Sequence, residues 1–148
     1  SRPYSSRNPQ FNKKPLAEAL EARGITYNFL GDKLGGIPVD HSCNVDGRVD
    51  YNRLRDKYFF REGLLRLIRA HHNRVKLAVM CSESNPSVCH RTKLIGQELL
   101  KKGISVQHIV SKGSAKSLDN VVNDVTKGKG TTDLFGNEIS FSARKPFD

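Results

Sequence analysis

The chain has 148 residues, 36% of them hydrophobic, and 25 Lys and Arg against 15 Asp and Glu give a formal net charge of +10. That length fits one domain with an extension, and no apolar run approaches the roughly 20 residues that span a bilayer, so a transmembrane protein and a membrane partner are excluded. Three cysteines are too few for a disulfide scaffold, and the polar start Ser1-Arg2-Pro3-Tyr4 carries no secretory signal, so a reducing, cytoplasmic setting is expected.

Residues 1–11 are polar and turn-rich. Asn12 reads as a helix N-cap with Pro15 in the first turn, and Gly24 reads as the stop. Residues 25–30 have a strand pattern, and Gly31-Asp32-Lys33-Leu34-Gly35-Gly36 reads as a loop because three glycines in six residues break regular structure. Residues 37–50 read as an irregular polar excursion.

From Tyr51 to about His72 the pattern predicts a helix with a break near Phe60 and Arg61. Leu64, Leu65, Leu67 and Ile68 are its expected buried stripe. Arg53, Arg55, Lys57, Arg61, Arg66, Arg69 and Arg74 form the densest basic cluster. It reads either as a solvated helix face or as a stripe that tracks phosphates. Tyr51, Tyr58, Phe59 and Phe60 are either base-stacking residues or the core side of that helix.

Residues 75–81 are nearly continuously apolar, as a central parallel strand would be. After a polar loop, Asn85 and Pro86 predict a helix start, and Gly103 predicts its end near Lys102. Residues 104–110 read as another strand. Strand, loop, helix and strand over 75–110 make one βαβ unit with a right-handed crossover. The expected division is an α/β domain over 1–110 and an extension over 111–148, loosely ordered after Lys127.

In open α/β sheets, ligands bind beyond the carboxyl ends of the strands. The loop after Cys81 is therefore the candidate site. Cys81 stands at the strand tip, Glu83 follows two residues later, and Cys89-His90-Arg91 opens the helix. A helix start and a guanidinium suit a phosphate or carboxylate, and the same field would activate a thiol. Cys81 and Cys89 read equally as small buried core residues, and His90 as a surface histidine. A zinc site is the third reading, with His41 or Cys43 joining Cys81, Cys89 and His90. No standard C-x2–4-C spacing is present, so no metal and no cofactor is expected.

The run from Val79 through Cys81, Glu83 and Asn85-Pro86 to Cys89-His90-Arg91 resembles the hallmark of domain-of-unknown-function family number 488. Ser6-Arg7-Asn8-Pro9-Gln10-Phe11-Asn12 and Tyr27…Leu34-Gly35-Gly36 resemble two further signatures of that family, in the right order. The resemblance covers residues 6–110. It implies an α/β, Rossmann-like three-layer domain with a mostly parallel sheet. It also implies a strand, a helix and a second strand ahead of the Arg-Asn-Pro segment. The chain as given lacks them, so an incomplete sheet is expected. The resemblance implies no activity.

With that geometry, the loops holding Arg7, Lys33 and Cys81 would converge on one cleft. The leading expectation is an enzyme, or an enzyme-like pocket, for a nucleotide or a nucleic-acid-derived anion. Arg7 and Arg91 would bind phosphate, and Asn8 and Gln10 would hydrogen-bond sugar or base. Asn12, Lys33, Gly35, Gly36 and Cys89 complete the binding set. Glu83 or His90 would transfer protons, and Cys81 would be the nucleophile if its thiolate is stabilised. Hydrolysis is favoured over redox chemistry because no G-x-G-x-x-G is present. The alternative is a non-enzymatic DNA- or RNA-binding module. Separately, Thr132-Asp133-Leu134-Phe135 resembles the end of the short motif that docks replication-clamp ligands, with Thr131-Thr132 where a Gln-Leu pair is usual.

Overall fold

The computed structural model describes residues 3–132, 138, 139 and 141–143. A 3-10 turn, Pro9–Phe11, leads into helix α1, Lys13–Glu21. Asn12 starts α1 with extended backbone, and its carbonyl accepts from Leu16 N at 3.0 Å. Its side chain does not cap the helix: the carboxamide oxygen accepts from Ser5 N at 2.5 Å. Gly24, at φ +70°, turns the chain away in the left-handed region that glycine enters without a Cβ clash.

Helix α2, Gly31–Leu34, occupies part of the segment expected to be a loop. A 3-10 turn, His41–Cys43, precedes a small hairpin of β1, Asn44–Val45, and β2, Arg48–Val49. Asp46 and Gly47 both have positive φ, 49° and 74°, as a two-residue hairpin turn requires. Helix α3, Tyr51–Arg55, is capped by the Asp50 carboxylate, which accepts from Arg53 N. Helix α4, Tyr58–His72, follows, so the break in the long helical pattern falls at Asp56 and Lys57. Phe60, Leu64 and Leu67 face the core, Ile68 is half-buried, and Leu65 is exposed.

The helix after the Cys81 loop is compound. A 3-10 turn, Pro86–Val88, is capped by the Asn85 side chain, which accepts from Ser87 N at 2.9 Å. A π-helical turn, Arg91–Gly96, then runs into α5, Gln97–Leu100. Strands β3, Gln107–Ile109, and β4, Ala115–Ser117, are joined through the turn Ser111–Gly113. Helix α6, Leu118–Thr126, is capped by Ser117 Oγ and packs on Pro86–Val88 and on the π-helical turn.

The expected mostly parallel, Rossmann-like sheet is not what the chain forms. Among the described residues the strands make two separate two-stranded sheets, β1–β2 and β3–β4, and both are antiparallel. Residues 25–30 and 75–81 contain no assigned strand. Val75, Leu77 and Met80 are more than half exposed. A continuous apolar run becomes a central strand only where neighbours supply a hydrogen-bonding ladder on each side. The second expected strand of the βαβ unit folds back on β4 instead.

The core lies between α3, α4 and the compound helix. Leu54, Phe60 and Leu94 are fully buried in it, with Leu34 from α2 and Val49 from β2. Residues 141–143 run beside β2: Ala143 N donates to Val49 O at 2.9 Å and Tyr51 N to Phe141 O at 3.1 Å. No helix of the described residues is long and apolar enough to cross a membrane.

Candidate functional site

Cys81 ends the segment 75–81, which carries no helix or strand, and the chain then doubles back through the capped 3-10 turn. That reversal sets Cys81 Sγ 3.1 Å from Cys89 Sγ. Both sulfurs accept from backbone: Glu83 N donates to Cys81 Sγ at 3.4 Å, and Arg91 N to Cys89 Sγ at 3.3 Å. The Arg91 side chain clamps the loop. Its Nε donates to Cys89 Sγ at 3.1 Å and its Nη2 to the Glu83 carbonyl at 2.6 Å. Glu83 Oε2 lies 3.8 Å from Cys81 Sγ and 3.8 Å from His90 Nδ1, which is 3.9 Å from Cys89 Sγ. One donor atom each from Cys81, Glu83, Cys89 and His90 therefore falls within 4.8 Å of the others. Among the described residues these four are the ones placed to hold a metal ion.

The two thiols lie within hydrogen-bonding distance of each other and titrate as a pair. Cys89 donating to Cys81, helped by the Glu83 N–H and the Arg91 charge, brings the Cys81 thiol down to about 6 against the upward push of burial. The same hydrogen bond, with burial, pushes Cys89 up to about 12, offset in part by His90 and Arg91. Of the sequence-predicted residues, Cys81, Glu83, Cys89, His90 and Arg91 thus come together. Gly36 joins them: a β-carbon there would stand 2.8 Å from His90 Cβ.

The other expected residues lie elsewhere. Arg7, Asn8 and Gln10 are exposed on the N-terminal turn, where Asn8 N is held by Ser5 Oγ at 3.1 Å. Among the described residues no hydrogen bond or ion pair joins them to the Cys81 loop. Asn12 is engaged with Ser5. Lys33 is paired with Glu62 at 2.6 Å, and Gly35 is buried at the end of α2. Cys43 is buried and is not among the gathered donors; burial and then Asp40 raise its thiol. Neither Cys43 nor His41 belongs to the donor cluster. Asp133, Leu134 and Phe135 lie outside the described residues.

Two residues of the site's surroundings are not evident from the sequence as neighbours of the Cys81 loop, and of the two readings of Tyr51 the structure bears out the core one. Tyr51 is buried, and burial, with the charges of Glu83, Cys89 and Cys81, pushes its phenol above the usual range. His108, on β3, is buried with Nε2 3.3 Å from Thr92 Oγ1; burial and then Arg91 push its imidazole down. Helix α6 forms part of the support, and Leu118 Cδ1 would be 2.9 Å from a β-carbon at Gly96.

A separate cleft of about 440 Å³ opens between α1 and residues 27–29, lined by Tyr4, Lys13, Lys14, Ala17, Tyr27, Asn28 and Phe29. Lys13 Nζ sits 5.2 Å from the centre of the Phe29 ring. Neither Arg7 nor any residue of 81–91 lines this cleft.

No curated relative and no solved structure matches the chain. A family model does, over residues 1–97, a span that holds the Cys-His-Arg loop, Leu34-Gly35-Gly36 and the Arg-Asn-Pro-Gln segment but not α6. On that match the chain belongs to the family described as Domain of unknown function DUF488.

Proposed function

We propose that this protein binds a nucleotide or a nucleic-acid-derived anion, and that the cleft between α1 and residues 27–29 receives it. The observation that carries this reading is the lining itself: two lysines beside three aromatic residues, with Asn28 also among the lining residues. Ring faces accept any base by stacking, worth about 1–3 kcal/mol per base, and lysines neutralise phosphate. The net charge of +10 favours the approach of such a ligand.

The basic run on α3 and α4 is the weaker candidate for tracking a phosphate backbone. Arg55 is enclosed by Glu98 and Glu138, Arg61 pairs with Asp56 and Arg66 with Glu62. Each pair removes a charge from the stripe. Hydrolysis would need an acid and a base at the bound anion, and Glu83 and His90 do not line the cleft. Binding is therefore the activity proposed for it.

Fluorescence titration with single-stranded oligonucleotides and with mononucleotides, over a range of salt, tests the reading. Tyr27→Ala and the pair Lys13→Ala, Lys14→Ala are each expected to weaken binding at least tenfold, the lysine pair also flattening the salt dependence. Unchanged affinity in both variants, or no binding by the native chain at low salt, overturns it.

A further inference from the structure

We infer that the Cys81 loop is a binding site for a zinc-class divalent ion, held by Cys81 Sγ, Cys89 Sγ, His90 Nδ1 and the Glu83 carboxylate. The site stands apart from the cleft and does not rest on it.

The first argument is distance. Zinc bonds of about 2.3 Å to sulfur and about 2.0–2.2 Å to nitrogen and oxygen, in a tetrahedron, separate the ligands by about 3.3–3.8 Å. The measured separations are 3.1 Å for the two sulfurs, 3.8 Å for Cys81 to Glu83, 3.8 Å for Glu83 to His90 and 3.9 Å for Cys89 to His90. No donor is more than 4.8 Å from another. Four donors from a ten-residue stretch thus lie within reach of one ion, which would spread the two sulfurs to about 3.8 Å and draw Glu83 and His90 together to about 3.3 Å, shifts of a fraction of an ångström.

The second argument is chemistry. Two sulfurs and a carboxylate oxygen this close repel one another when charged, and a cation among them removes the penalty. Two thiolates with an imidazole suit a borderline-soft ion, which selects zinc over magnesium or calcium. The outer contacts fit as well. Backbone N–H groups point at both sulfurs, and the Arg91 Nε donates to Cys89 Sγ. Such contacts orient metal ligands and temper their charge. Four protein ligands close the coordination sphere, which is the pattern of a structural site rather than a catalytic one. The ion would pin the end of the segment 75–81 to the start of the π-helical turn, two pieces of chain with little regular structure of their own between them.

The test uses the full chain, purified under reducing, oxygen-free conditions and loaded with zinc alone or cobalt alone. Elemental analysis is expected to give one zinc per chain. Cobalt is expected to give the intense visible bands of a tetrahedral ion with sulfur-to-metal charge transfer. Cys43→Ser should keep both signals, and Cys81→Ser or Cys89→Ser should lose stoichiometric binding. Should the cysteine variants fail to fold, the native chain still decides. Zinc should protect Cys81 and Cys89 from alkylation, and a chelator should restore labelling. Substoichiometric zinc, a weak octahedral cobalt spectrum, or labelling indifferent to zinc would each overturn the inference.

Discussion

Gly36 is packed against His90 so closely that a β-carbon at 36 would meet both Cβ and Cγ of the histidine at 2.8 Å and Nδ1 at 3.0 Å. The neighbour is a ring held between Gly36 and the thiol loop, not the free end of a flexible chain. Gly36→Ala must therefore move His90 or the end of α2. Overpacking of this kind costs about 1–3 kcal/mol. Urea unfolding should show that loss, and zinc affinity should fall with it because Nδ1 is displaced. Stability equal to the native chain would mean that the loop yields without cost.

Leu34 docks α2 onto α4 at a position where only glycine fits opposite. A β-carbon at Gly63 would stand 2.8 Å from Leu34 Cγ, and Leu34 itself is 4% exposed within the main core. Leu34→Ala removes the buried side chain and leaves a cavity, an expected loss of about 2–5 kcal/mol. Denaturant unfolding measures it. Lys33→Ala is expected to cost much less, since its pair with Glu62 is partly open to solvent.

Acid should weaken the link between the His41–Cys43 turn and α4. The Asp40 carboxylate accepts from Lys57 Nζ at 2.8 Å, from Ser42 Oγ at 2.6 Å and from Ser42 N at 2.9 Å. Lys57 and then Ser42 hold its carboxyl well below the usual carboxylate range. Because the folded value is depressed, the contribution is whole above the unfolded value of about 3.9 and is lost as pH falls below it. The melting temperature should therefore drop below about pH 4. Asp40→Asn should be less stable at neutral pH and should lose part of that acid dependence. An identical acid profile in the variant would show that other carboxylates set it.

The parts of the site that lie close in sequence were legible there. Asn85 and Pro86 predict a helix start, and the Asn85 side chain does cap there, but what it caps is a three-residue 3-10 turn, with the helical run beginning only at Arg91. Cys81, Glu83, Cys89, His90 and Arg91 meet because a short reversed loop leaves them nowhere else to go. Asp46-Gly47 is a readable hairpin signal inside a stretch whose polarity reads as irregular. Tyr51, His108 and α6 were not readable as neighbours of the loop, because only tertiary packing brings them there. The sheet failed for a different reason. The apolarity of 75–81 reports what the segment prefers, not whether a partner strand lies beside it. Arg55 shows the same limit for charge: the helix period puts it on an outer face, and Glu98 and Glu138 enclose it.

That difference between preference and partnership is itself measurable. In α4 the backbone amides are bonded within the helix, and Leu64 and Leu67 are buried. Between Lys76 and Met80 no backbone N–H has a backbone partner among the described residues, and the nearest such bond is Val75 N to Ala70 O at 2.9 Å. Amide exchange is limited by opening where a hydrogen bond must first break, and runs near the free rate where none exists. Hydrogen–deuterium exchange read by mass spectrometry should therefore label residues 76–80 at the earliest time points and residues 64–68 late. Protection of 76–80 comparable to that of α4 would mean that in solution a further strand pairs with this segment.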